Sequence, residues 1–226
     1  MFAVCAKTLR RLGAEVRIHA GAENSVRALA PTDPFADPVR GDPARWTTPT
    51  AWFRPPDPAL TGDPPRARIE VEGLPNLLHE LVHAALAGRL ADDHGFDYGA
   101  IPYDTDTIDG RAVLWDELSA AVISCAYLMP ERDPSADAWT RASAWFDEQL
   151  GIQPVFYGLE HEPARFWDRV PTLARTHASE LTAMTACGYA RVDALLRWGG
   201  GESCPRPAAL DFWQLWQRRG GQGERA

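Results

Sequence analysis

With 226 residues, 45% of them hydrophobic and 24% charged, the chain has the mix of an ordinary globular protein that can bury a core without disulfides. A formal net charge of −8 argues against an electrostatic hold on nucleic acid or anionic lipid. No run of about 18 apolar residues could span a bilayer, Met1–Lys7 lacks the features of a signal peptide, and the four cysteines show no Cys-x-x-Cys spacing, so a cytoplasmic location is expected.

The first thirty residues predict a short helix and then a strand near Ala14–His19, where apolar and polar residues alternate. Between Pro31 and Arg66, ten prolines exclude a continuous helix or a central strand. Trp46, Trp52 and Phe53 lie among them, which predicts an ordered, extended wrapping segment, since disordered stretches are poor in aromatics. Arg68–Val71 is a strand candidate, and Leu74–Leu90 carries apolar residues at helical spacing. A polar loop follows, up to Gly110. Residues 112–129 predict a second helix, uncharged from Leu118 to Pro130 and so buried on most sides.

Pro134–Leu150 predicts a third helix and Gly151–Gly158 a short strand or extended turn. One or two long helices are expected over Pro163–Arg197. Arg206–Arg219 reads as an amphipathic helix whose Phe212, Trp213 and Trp216 cap the core or form a dimer face. The sum is a mainly α (α+β) single domain of packed helices with a few short strands. It divides into an N-terminal helix and strand (1–30), the Pro-rich segment (31–66), a metal-binding helical core (67–198) and a C-terminal helix and tail (199–226).

One motif carries chemistry: His79-Glu80-Leu81-Val82-His83, an HExxH. On a helix, residues i and i+4 share a face, so both imidazoles can bind one ion. Glu80 can reach a metal-bound water as general base. Chance would place this pattern in roughly 1% of shuffled chains of this composition.

Two histidines do not hold a metal alone. Position 89, where a metzincin needs histidine, is Arg89. The third ligand is therefore sought in Glu117, at the head of the uncharged helix, where an unpaired carboxylate would be costly. His94 in the following loop is an alternative, and Asp116 another, although it points about 100° away from Glu117 around the helix. A glutamate on a helix packed against the HExxH helix is the gluzincin arrangement. The same donors suit Zn(2+) for hydrolysis or Fe(2+) for oxygen chemistry. Spacing alone does not separate the two.

Several stretches taken together carry a resemblance. His79-Glu80-Leu81 and His83 are followed by Ala87-Gly88, then by Asp93-His94-Gly95-Phe96-Asp97-Tyr98. Glu117 comes 34 residues after His83, and Val155–Val170 follows with Leu159-Glu160 and Phe166. In these the chain resembles the bacterial elongation factor P hydroxylases, iron-dependent enzymes that hydroxylate the lysine-modified side chain of that translation factor. The family's lysine and glutamine soon after the glutamate have no counterpart in Leu118-Ser119-Ala120-Ala121. The resemblance implies Fe(2+) bound by His79, His83 and Glu117, with Glu80 in proton transfer and elongation factor P or a paralogous target as protein substrate.

His94, Asp97, Tyr98 and Tyr103 are candidates for the substrate pocket. Glu160-His161-Glu162 has the look of a solvated face. Arg89, Arg111 and Arg132 could form a local basic patch. A gluzincin-like zinc hydrolase with Glu80 as base is the alternative function, and a non-catalytic binding module retaining the fold is a third.

Overall fold

The computed structural model describes residues 1–22, 25–28, 67–87, 105–129, 135–156, 161–200 and 209–223. These form α1 (Phe2–Arg11), β1 (Ala14–Ile18), β2 (Ser25–Ala28), β3 (Ala67–Val71), α2 (Leu74–Ala87), α3 (Ile108–Leu128), α4 (Ala136–Phe156), α5 (Pro163–Thr176), α6 (Ala178–Gly200) and α7 (Phe212–Gly223). The mainly α single domain expected from the sequence is what they build. The Pro-rich segment 31–66 lies outside the described residues. Among those described, no helix is long and apolar enough to cross a membrane.

The strands form a sheet of order β1-β3-β2, with β1 parallel and β2 antiparallel to β3. Val16, Ile69 and Val71 are buried and join the core shared with α1 and α2. The alternate residues carry charge, and Arg68 Nε pairs with Glu15 Oε2 at 3.0 Å while Arg17 reaches Glu70 at 3.4 Å. The strands expected near Ala14–His19 and over Arg68–Val71 are present. β2 has no clear alternation in sequence and takes its shape from the edge of β3.

α3 is the axis of the molecule, packed on by α2, α4 and α6. Thr107 caps it, its side chain accepting a hydrogen bond from Gly110 N at 3.1 Å. The helix therefore starts at Ile108 rather than at 112. Glu117 consequently sits in its third turn, too deep for the helix dipole to explain a carboxylate there. Every described side chain from Arg111 to Tyr127 is buried except two, Asp116 and Glu117.

Hydrophobic residues on one side of α3 join α4, α5, α6 and α7 around Trp115, Leu118, Phe146 and Leu150. Residues on its other side, such as Ile123, join the core of α1, the sheet and α2. Two glycines of α6 allow this closeness. A Cβ at Gly188 would collide with Ile123 of α3, and one at Gly199 with Thr8 of α1.

α4 corrects the short strand or extended turn expected over Gly151–Gly158, because the chain stays helical to Phe156 with Pro154 inside the helix. Gln149, Leu150, Gln153 and Pro154 are buried, so packing holds the last turn against the proline. α7 begins at Phe212, later than expected. Asp211 Oδ1 accepts from Gln214 N and Gln214 Oε1 from Asp211 N, at 2.8 and 2.9 Å, a reciprocal cap. Its Phe212 and Leu215 are buried in the core, with Trp213 and Trp216 packed beside them.

Candidate metal centre

α2 and α3 place the site. Leu77, Leu78, Leu81 and Val82 bury one side of α2, and this fixes the face with His79 and His83 against α3. Opposite them stand Asp116 and Glu117. The two histidine Nε2 atoms are 2.9 Å apart. Glu117 Oε2 lies 3.6 Å from His79 Nε2, and its Oε1 lies 3.7 Å from His83 Nε2. His79, His83 and Glu117 thus form a cluster that could hold a metal ion.

The donor set fits an ion. Ligand atoms about 2.1 Å from a common metal, at ordinary tetrahedral or octahedral angles, stand roughly 3.0–3.4 Å from one another. The 2.9 Å between the two nitrogens, and the 3.6 and 3.7 Å from each nitrogen to one of the two Glu117 oxygens, lie within a few tenths of an ångström of that range. Two neutral nitrogens and one carboxylate suit zinc or iron(II) alike.

The surroundings orient each donor. His83 Nδ1 donates to Asp116 Oδ2 at 2.9 Å, which turns its Nε2 toward the cluster. Asp116, weighed as a ligand from sequence, instead holds the histidine from behind. Glu117 Oε2 accepts from Gln153 Nε2 of α4 at 3.2 Å. The His79 ring meets Trp145 edge-on, with centroids 6.2 Å apart, and Trp145 is itself fixed by donating to Ser124 Oγ at 2.8 Å. His79 Nδ1 is buried and has no hydrogen-bond partner among the described residues.

Charge follows geometry. Burial disfavours a proton on His83, yet Glu117 and Asp116 outweigh it and push its pKa up to about 10. Burial drives His79 the other way, helped by the cation next to it. Glu117 is raised by burial but held down by both histidines, to about 2. Without metal, His83 therefore carries the proton, a cation set between the two carboxylates and a neutral His79. Glu80, on the same helix and half-buried, adds to the field that favours the His83 proton.

His94, Asp97, Tyr98 and Tyr103 lie outside the described residues, as do Arg89, Arg132 and Glu160. Arg111 is not part of a surface patch. It is buried, with its guanidinium on Glu180 at 2.8 and 2.9 Å and on the Thr105 and Asp106 carbonyls. His161 and Glu162 are exposed, as a solvated face should be. Cys125 is buried and its thiol is pushed up by that burial, an inert state.

Sequence inspection missed Gln153, whose only signal is helical register: it faces α3 only if α4 continues past Leu150. Comparison with protein-family models, curated proteins and solved structures finds no match for the chain.

Proposed function

We propose that the chain is a metalloenzyme whose His79, His83 and Glu117 bind one iron(II), and that it hydroxylates a side chain of a protein, elongation factor P or a related target. The observation that carries it is the convergence of two imidazole Nε2 atoms and one carboxylate, each on a packed helix. The choice of iron rests on the resemblance of the flanking segments to the elongation factor P hydroxylases.

Iron(II) at such a donor set supplies electrons to dioxygen while leaving positions for substrate. The chain's own groups do the rest. His79 and His83 offer neutral Nε2 atoms, and Asp116 takes the His83 Nδ1–H so that the other nitrogen can donate. Glu117 is ionised and brings one negative charge against a divalent ion. Glu80 stands by as a proton carrier. Overall, one oxygen atom enters a C–H bond, and the other leaves as water with two protons and two electrons from an external reductant.

A zinc hydrolase stands second, favoured by the observed packing of a glutamate-bearing helix against an HExxH helix. There Glu80 would take the proton of the attacking water. The test is anaerobic loading with iron(II), then dioxygen, a reductant and lysine-modified elongation factor P. A gain of one oxygen atom in the mass of the substrate is expected. No gain, together with zinc-dependent peptide hydrolysis that Glu80→Gln lowers about 10²–10⁴-fold, would establish the hydrolase instead. Metal binding with neither activity would leave a binding module.

A further inference from the structure

We propose that Gln153 is a positioning residue that makes Glu117 a one-oxygen ligand. The proposal rests on metal binding by His79, His83 and Glu117. Left to the two histidines alone, the Glu117 carboxylate is nearly symmetric. One oxygen faces His79 Nε2 at 3.6 Å and the other faces His83 Nε2 at 3.7 Å. Such a carboxylate can give both oxygens to one ion. Gln153 breaks the symmetry, because its Nε2 donates to Oε2 of the two carboxylate oxygens, at 3.2 Å, and otherwise only to the Gln149 carbonyl of its own helix among the described residues, at 3.5 Å. Oε2 is thereby engaged from α4, and Oε1 is the oxygen left for the metal.

The orientation of the amide is not free. A carboxylate only accepts, so the NH2 end must face Glu117 and the carbonyl must face away. That carbonyl Oε1 is buried and has no hydrogen-bond partner among the described residues, in a residue only 2% exposed. A residue serving packing alone would not bring an unsatisfied oxygen into the core, where an apolar side chain of the same length would do better. The glutamine is placed for what its nitrogen does. Asp116 cannot substitute, since it is committed to His83 Nδ1. Monodentate binding keeps a coordination position open that a two-oxygen glutamate would fill, and an open position is what distinguishes a reactive site from a closed one.

The experiment is cobalt(II) titration of the wild-type chain, Gln153→Met and Gln153→Asn, reading affinity by chelator competition and the visible absorption band. Methionine keeps the length without the donor, and asparagine keeps the amide but falls one methylene short. Circular dichroism selects whichever variants keep the wild-type fold. Affinity is expected to fall about 10-fold or more. The band should weaken as the second carboxylate oxygen joins and the coordination number rises, which a general loss of stability would not produce. A wild-type band and an affinity within twofold, in either folded variant, overturn the role of Gln153. No cobalt binding by the wild-type chain would instead overturn the metal site itself.

Discussion

Asp116 and Glu117, neighbours on α3, hold opposite edges of the same imidazole: Asp116 takes His83 Nδ1 at 2.9 Å, and Glu117 faces His83 Nε2 at 3.7 Å. Successive helical residues point about 100° apart, so only one of the two can face the ion. The other comes round behind the ring. In the proposed metal centre the pair divides the work of ligand and orienter, which would account for two carboxylates side by side on an otherwise buried helix.

Asp116→Asn keeps the shape of the side chain but removes the charge that raises the basicity of His83. Metal affinity should fall roughly 10–100-fold with no change in far-ultraviolet circular dichroism. Chelator competition measures it. A change under twofold would mean that Asp116 does not support the ligand.

Metal binding should weaken as pH falls. His83 keeps its proton until pH about 10 in the metal-free chain, while His79 is neutral and Glu117 ionised. Each ion bound between pH 7 and 9 must therefore displace about one proton, and log affinity should rise by about one for each pH unit. Titration calorimetry in buffers of different ionisation enthalpy counts the proton directly. A pH-independent affinity would contradict this charge assignment.

Glu180 ties the start of α6 to α3, bonded to Arg111 and to Trp115 Nε1. The Arg111 hydrogen bond holds its carboxyl below the ordinary range. A depressed carboxylate contributes stability above its unfolded pKa and loses it as pH falls through the folded value. Glu180→Gln should cost about 3 kcal/mol at neutral pH, as Arg111 loses a buried partner. The gap from wild type should narrow as pH falls below the ordinary carboxylate range, as urea unfolding at successively lower pH would show.

Gly199→Ala tests the contact of α1 with α6. The added methyl has no room beside Thr8 and must push the helices apart, at about 1–3 kcal/mol of unfolding free energy. Equal urea midpoints for the two proteins would mean that the helices are less closely fitted than described.

Much of this site was legible because its chemistry is local. His79 and His83 are four residues apart on one helix, and Glu117 stands out because the chain beyond it carries no charge from Leu118 to Pro130. Asp116 was harder, since sequence gives the direction of a side chain relative to its own helix but not the thickness of the ring it must reach around. Gln153 was hidden by Gly151 and Pro154, which read as a helix end until packing overrode them. β2 was hidden for a similar reason, as its pairing with β3 is long-range. His94, Asp97, Tyr98 and Tyr103 fall outside the described residues, so their place in a substrate pocket stays an expectation from sequence.

The most direct test is elemental analysis of the chain purified without chelators, beside His79→Ala and Glu117→Gln prepared in the same way. About one metal ion per wild-type chain, lost in both variants while their helical content persists, is the predicted result. Iron would support the hydroxylase, and zinc would shift weight to the hydrolase, allowing for the tighter binding of zinc at such donors. No metal in the wild-type chain, even after titration with iron(II) or zinc, would contradict a metal centre at His79, His83 and Glu117.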